Sequence, residues 1–132
     1  MKTVKAHVKG KIPNKCACNG STLTRFVQPV ILIALSQGPD YGYSLLQKIA
    51  HTALWKGETP DPSGVYRALK DMEKRELISS SVVTGEESVM GTRMFSITDT
   101  GRECMLHWKD TLTAYRAGID EIIGELDCCC GA

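Results

Sequence analysis

Long apolar runs are missing from this 132-residue chain. The longest, Val30 to Leu35, falls far short of the roughly 20 residues a membrane helix needs. The N-terminus also lacks the apolar core of a secretory signal. A cytoplasmic protein with no membrane partner is therefore expected. Net charge is almost absent as well, at +1. No nucleophile–base pair and no paired acids fall on convergent elements, so no enzyme is expected. His51 and His107 have no partner spacing that argues catalysis or a His-based metal site. At 14.5 kDa the chain suits one domain rather than two, with the 42% hydrophobic and 23% charged residues of an ordinary globular protein.

Two features stand against this plain background. One is six cysteines, which in a reducing compartment are expected as thiols or metal ligands rather than disulfides. The other is hidden in the small net charge. Through Thr98 there are thirteen Lys and Arg against eight Asp and Glu, or +5; from Asp99 onward there are three against seven, or −4. Such asymmetry points to a polyanion-binding part joined to something else.

Within the basic part, Asp61 to Ile78 carries a helix-start signal. Asp61 can cap free backbone N–H groups, and Pro62 falls at the first helical position, where a missing N–H costs nothing. Val65, Leu69 and Met72 then recur at the i, i+4, i+7 spacing of a buried stripe. Ser63, Tyr66, Arg67, Lys70 and Lys74 form a second face, with hydroxyls and cations suited to phosphate oxygens and base edges in a major groove. The competing description is a solvated surface helix.

The remainder arranges itself around that helix. Residues 1–20 form a basic arm with Lys2, Lys5, Lys9, Lys11 and Lys15, either lying along DNA or solvated, and with Cys16 and Cys18 at its base. Ser21 to Gln37 reads as a first helix, with Pro29 expected to bend it. Gly38-Pro39 stops it, and Tyr41-Gly42-Tyr43 opens a second helix with Leu45, Leu46 and Ile49 as its stripe, ending near Thr52. After Ile78 the period changes. Ser79 to Val83 and Arg93 to Thr98 read as a hairpin, a wing whose tip carries Glu86 and Glu87 beside the lone Arg93. From Asp99 the seam of Met105, Trp108, Leu112, Tyr115, Ile119, Ile122 and Leu126 alternates spacings of three and four, and pairing with a second copy is expected. The expected fold is therefore mainly α with a β-hairpin wing. It comprises an arm (1–20), a winged helix-turn-helix (21–98), a long C-terminal dimerisation helix (99–127) and a Cys-rich tail (128–132).

Three motifs carry a resemblance. Tyr41 to Ile49 (YGYSLLQKI), Val65-Tyr66-Arg67-x-Leu69-x-x-Met72-Glu73 followed by Glu76-Leu77-Ile78, and Phe95-x-Ile97-Thr98-x-x-Gly101 together resemble the PadR family of winged-helix transcriptional regulators. The resemblance covers Leu23 to about Leu126 and implies a homodimer, usually a repressor, joined through its last helix. It also implies a third helix in the major groove with Tyr66 at an exposed position, and the single C-terminal helix suggests the smaller subgroup. The chain departs from the pattern at the wing, which in relatives is often richer in Arg and Lys. The expected partner is a double-stranded operator with an inverted repeat, read by Ser63, Tyr66, Arg67, Lys70, Lys74 and Arg93.

The signal such a regulator answers points to its ends. In extended chain, residues two apart face the same way, so Cys16 with Cys18, and Cys128 with Cys130, would each make a two-thiolate pincer beside Cys129. Converging thiolates suit zinc, another thiophilic metal or an iron–sulfur cluster. Unliganded thiols that sense oxidation are the competing description. Two other readings stand beside this one: a small organic effector held at the dimer interface near Trp108, and a thiol-based metal-binding protein that uses the winged helix as scaffold. Cys104 is expected to be a packing residue.

Overall fold

The computed structural model describes residues 26–55, 57, 60–82 and 93–130. The basic arm with Cys16 and Cys18, the expected start of the first helix at Ser21, and the hairpin tip with Glu86 and Glu87 lie outside the described residues. One compact unit is Leu23–Trp108; a second contains the chain from Lys109 onward.

Within the first unit, α1 (Val27–Ser36) precedes a short strand β1 (Asp40–Tyr41), α2 (Gly42–Ala50) and α3 (Pro62–Lys74). Strands β2 (Ile78–Val82) and β3 (Arg93–Ile97) follow, and then α4 (Asp99–Cys130). Pro29 is the third residue of α1, in the first turn where backbone N–H groups have no intrahelical acceptor, so the expected mid-helix bend has no cause. The sheet is antiparallel in the order β1-β3-β2. Ile78 pairs with Ile97 and Val82 with Arg93, as a wing requires. Strand β1 was not expected: Tyr41 pairs with Met94 and Asp40 with Phe95 before α2 begins. Two residues are too short to show a period of two, so only the partner strand reveals them.

The apolar stripes meet in one core. Ile31, Leu32 and Leu35 of α1 pack with Leu45 and Ile49 of α2, Val65, Leu69 and Met72 of α3, and Ile78 and Phe95 of the sheet; all are buried. Asp40 ties β1 to α2. Its carboxylate accepts the Ser44 hydroxyl at 3.0 Å and pairs with Lys48 at 2.6 Å.

The end of α3 is set by backbone chemistry. Glu76 adopts φ +65°, while the Leu77 N–H donates to Met72 O at 2.9 Å and the Glu76 N–H to Glu73 O at 3.0 Å. These are the two hydrogen bonds of a Schellman stop, with buried Leu77 and Met72 supplying its apolar contact. Thr98 joins this stop to α4. Its single hydroxyl proton is shared between the Glu76 and Leu77 carbonyls, at 2.6 and 2.9 Å, and its oxygen accepts the Gly101 N–H at 3.0 Å. Gly101 is required here, because a β-carbon on it would collide with the Leu77 carbonyl oxygen. Among the described residues no helix is long and apolar enough to cross a membrane.

Candidate nucleic-acid interface

Helix α3 is built as its residues dictate. Asp61 stands at its N-cap and its carboxylate accepts the Gly64 N–H at 3.3 Å, with Pro62 next in the first turn. Val65, Leu69 and Met72 are fully buried, which leaves the opposite side to the solvent. Ser63, Arg67, Lys70 and Lys74 are exposed there and Tyr66 is half-buried. Among the described residues Arg67, Lys70 and Lys74 make no ion pair or hydrogen bond, so their charges are unspent. Ser63 differs: its hydroxyl proton goes to the Asp61 carboxylate at 2.9 Å. It therefore meets a ligand as an acceptor unless that bond breaks.

Tyr66 is less exposed than the resemblance implied. Its ring packs against the core, and its tip lies over Gly42 at the start of α2. Burial pushes its phenol pKa up, which keeps it a neutral donor. Arg93 is also more engaged than expected. On β3 it donates to the Ser80 hydroxyl at 2.8 Å, and Ser80 in turn donates to Glu73 of α3 at 2.8 Å. This diagonal cross-strand contact engages the exposed Arg93 with Ser80 of β2, and only through Ser80 with α3. Sequence spacing carried no sign of this, since strand register brings Arg93 to Ser80 and packing of α3 on the sheet brings Glu73 to Ser80.

The charge asymmetry also needs correcting. From Phe26 to Thr98 there are seven Lys and Arg against eight Asp and Glu, so the +5 up to Thr98 rests on residues 1–25. Cationic character in the described unit is therefore local to the α3 face. Elsewhere acids gather: an open hollow of about 520 Å³ is lined by Glu73, Glu76 and Asp99 with Ser79, Thr98 and Thr100.

The seam on α4 divides into two parts. Cys104, Met105 and Trp108 pack on the core of the same chain. The Trp108 indole N–H donates to the Gln28 side-chain oxygen at 2.7 Å, and burial raises the Cys104 thiol pKa. Trp108 is thus anchored on α1 of the same chain, which favours packing over effector stacking. Leu112 is half-buried. Beyond it the seam is open, with Tyr115 50%, Ile119 50%, Ile122 58% and Leu126 56% exposed.

The backbone at the last cysteines departs from the expected extended geometry. Helix α4 runs through Cys130, so positions 128 and 130 stand about 200° apart around its axis rather than on one side. An extended-chain pincer therefore cannot form there. Cys128 and Cys129 are exposed free thiols. Among the described residues no group of three or more His, Cys, Asp or Glu could hold a metal.

The sequence model of the transcriptional regulator PadR-like family matches residues 31–106. Among solved structures, a candidate transcriptional regulator from Thermoplasma acidophilum is similar with 25% identity and a TM-score of 0.66, covering 79% of this chain and 96% of its own. A PadR-like transcriptional regulator from Bacillus cereus shares 21% identity at a TM-score of 0.62, covering 78% and 96%. The Bacillus subtilis PadR in complex with operator DNA shares 21% identity at a TM-score of 0.51, over 63% of this chain and 46% of that one. Comparison with the curated proteins finds no match.

Proposed function

The chain belongs to the PadR-like family, whose members are transcriptional regulators and not enzymes, and from that membership we propose that it is a cytoplasmic homodimeric repressor of an inverted-repeat operator. The observation that carries the proposal is α3. Its apolar stripe is wholly buried, and Arg67, Lys70 and Lys74 on the other side are exposed and unpaired among the described residues. A basic helix face backed by a rigid core positions donors for a major groove. The Bacillus subtilis relative, solved on operator DNA, supports the same use of a shared fold.

Dimerisation rests on the open seam. Side chains as large as Ile119, Ile122 and Leu126 left half-exposed on one helix would each contribute roughly 1–1.5 kcal/mol if the remainder were buried by a second copy, about half the value for a fully exposed side chain. Two α3 faces about 34 Å apart would then read successive turns of DNA. Titration of wild type, Tyr66→Ala and Arg67→Ala against a duplex selected by the wild type tests this at fixed salt. Weaker binding by both variants, as intact dimers, is expected; unchanged affinity, or a wild-type monomer, ends the proposal.

A second element concerns the signal. The exposed thiols of Cys128 and Cys129 support response to a thiophilic metal, an iron–sulfur cluster or oxidation. Because α4 stays helical there, further thiols from another segment or a second copy would have to complete any ligand set. Anaerobic purification followed by elemental analysis and an absorption spectrum tests for a bound group. Titration of free thiols after mild oxidation tests the alternative.

A further inference from the structure

We propose that Gly42 is a positioning residue for DNA reading: by carrying no side chain, it leaves the slot over α2 in which the tip of Tyr66 is seated. The proposal rests on α3 being the DNA-contacting helix and names what holds its central side chain in place. Gly42 is the first residue of α2 and is buried. A β-carbon there would stand 2.7 Å from both Cε1 and Oη of Tyr66, and 3.0 Å from Cζ. Contacts that short are not tolerated, so something must move. The atoms concerned are the far end of a side chain, so the ring gives way and the backbone stays. Gly101 is the opposite case, since the atom its β-carbon would strike is a backbone carbonyl.

The seat matters because of what the Tyr66 hydroxyl is left to do. Among the described residues it has no hydrogen-bond partner, so its donor and acceptor capacity remains for a base edge in the groove. A ring already fixed by packing loses little freedom when it meets DNA, whereas a displaced ring must be ordered at that moment. Gly42 thus links the two helices of the helix-turn-helix through one side chain, without itself touching the ligand.

The test combines Gly42→Ala, Tyr66→Ala and the double variant. The DNA probes are a duplex selected by the wild type from a random pool and a scrambled duplex of equal length. Gly42→Ala should weaken binding to the selected duplex on the order of fivefold, the cost of ordering one side chain, and leave the scrambled duplex unaffected. In the Tyr66→Ala background the same substitution should change nothing. A second readout needs no DNA: the Tyr66 resonance in ring-labelled protein should titrate closer to an ordinary tyrosine in Gly42→Ala than in wild type. An unchanged titration, or an equal loss of affinity in both backgrounds, overturns the proposal. If Gly42→Ala loses its fold, recovery in the double variant supports the contact and failure to recover overturns it. A wild type that selects no sequence ends the DNA-binding reading alone, and the titration then decides the seat.

Discussion

Replacing Gly101 with alanine sets two known effects against each other on one residue. Alanine in a helix is favoured over glycine by about 1 kcal/mol, so propensity alone predicts a more stable protein. The packing predicts the reverse. The added methyl would strike the Leu77 carbonyl oxygen and stand 2.8 Å from Ile97 Cγ1 and 3.1 Å from the Leu77 carbonyl carbon. Leu77 cannot yield easily: its N–H is bonded to Met72 O, and its carbonyl accepts the Thr98 N–H at 3.1 Å and the Thr98 hydroxyl. Relief requires the first turn of α4 to shift. Overpacking of this kind costs about 1–3 kcal/mol, and each Thr98 hydroxyl bond lost adds roughly 1 kcal/mol. The expected outcome is a net loss of about 2 kcal/mol, which at ordinary urea slopes lowers the midpoint by about 1 M. Urea unfolding followed by tryptophan fluorescence reads this at fixed protein concentration, with Trp108 reporting the seat of α4 through its bond to Gln28. Gly124→Ala is the control. Nothing lies within 4 Å of its β-carbon, so propensity acts alone and stability should rise by up to about 1 kcal/mol. A Gly101→Ala midpoint at or above wild type would refute the close approach of α4 to Leu77.

Other outcomes follow from single contacts. Lys70→Ala and Lys74→Ala should each reduce the salt slope of DNA binding by about one, because each removes one phosphate-neutralising charge; an unchanged slope assigns them elsewhere. Arg93→Ala should leave that slope unchanged and lower stability by about 0.5–1 kcal/mol, since its guanidinium serves Ser80 and, through it, Glu73. For Asp40, burial pushes the carboxyl pKa up, yet hydrogen bonds from Lys48, Ser44 and the Tyr41 N–H, with the Lys48 charge, outweigh burial and hold it low. A lowered folded pKa stabilises above the unfolded value, about 3.9, and that contribution is lost as pH falls through the folded value. Asp40→Asn should therefore cost about 1 kcal/mol near neutrality, and in acid that deficit should shrink as pH falls from about 3.9 and disappear once the folded Asp40 is protonated. An equal deficit near neutrality and in acid would contradict a charge effect.

Much of the fold was legible because its signals are local. Asp61 and Pro62 announce a helix start wherever they lie before an apolar stripe, and Val65, Leu69 and Met72 carry the period that buries them. The exposed cations of α3 follow from that stripe by geometry alone. Seven apolar positions at alternating spacings similarly predicted the long last helix. Its last turn is not legible, because three consecutive cysteines resemble no helical pattern, yet α4 continues through them.

Chain order and periodicity by themselves determined which segments are helices, where α3 begins and which of its sides is wet, since these depend on neighbours within one or two turns. Tertiary structure alone decided the rest: that Tyr41 joins Met94 in a strand, that Gly42 seats Tyr66, that Arg93 is engaged by Ser80, and that Trp108 is anchored by Gln28. Each of those pairs residues far apart in the chain, and only burial of the shared core sets their separation in space.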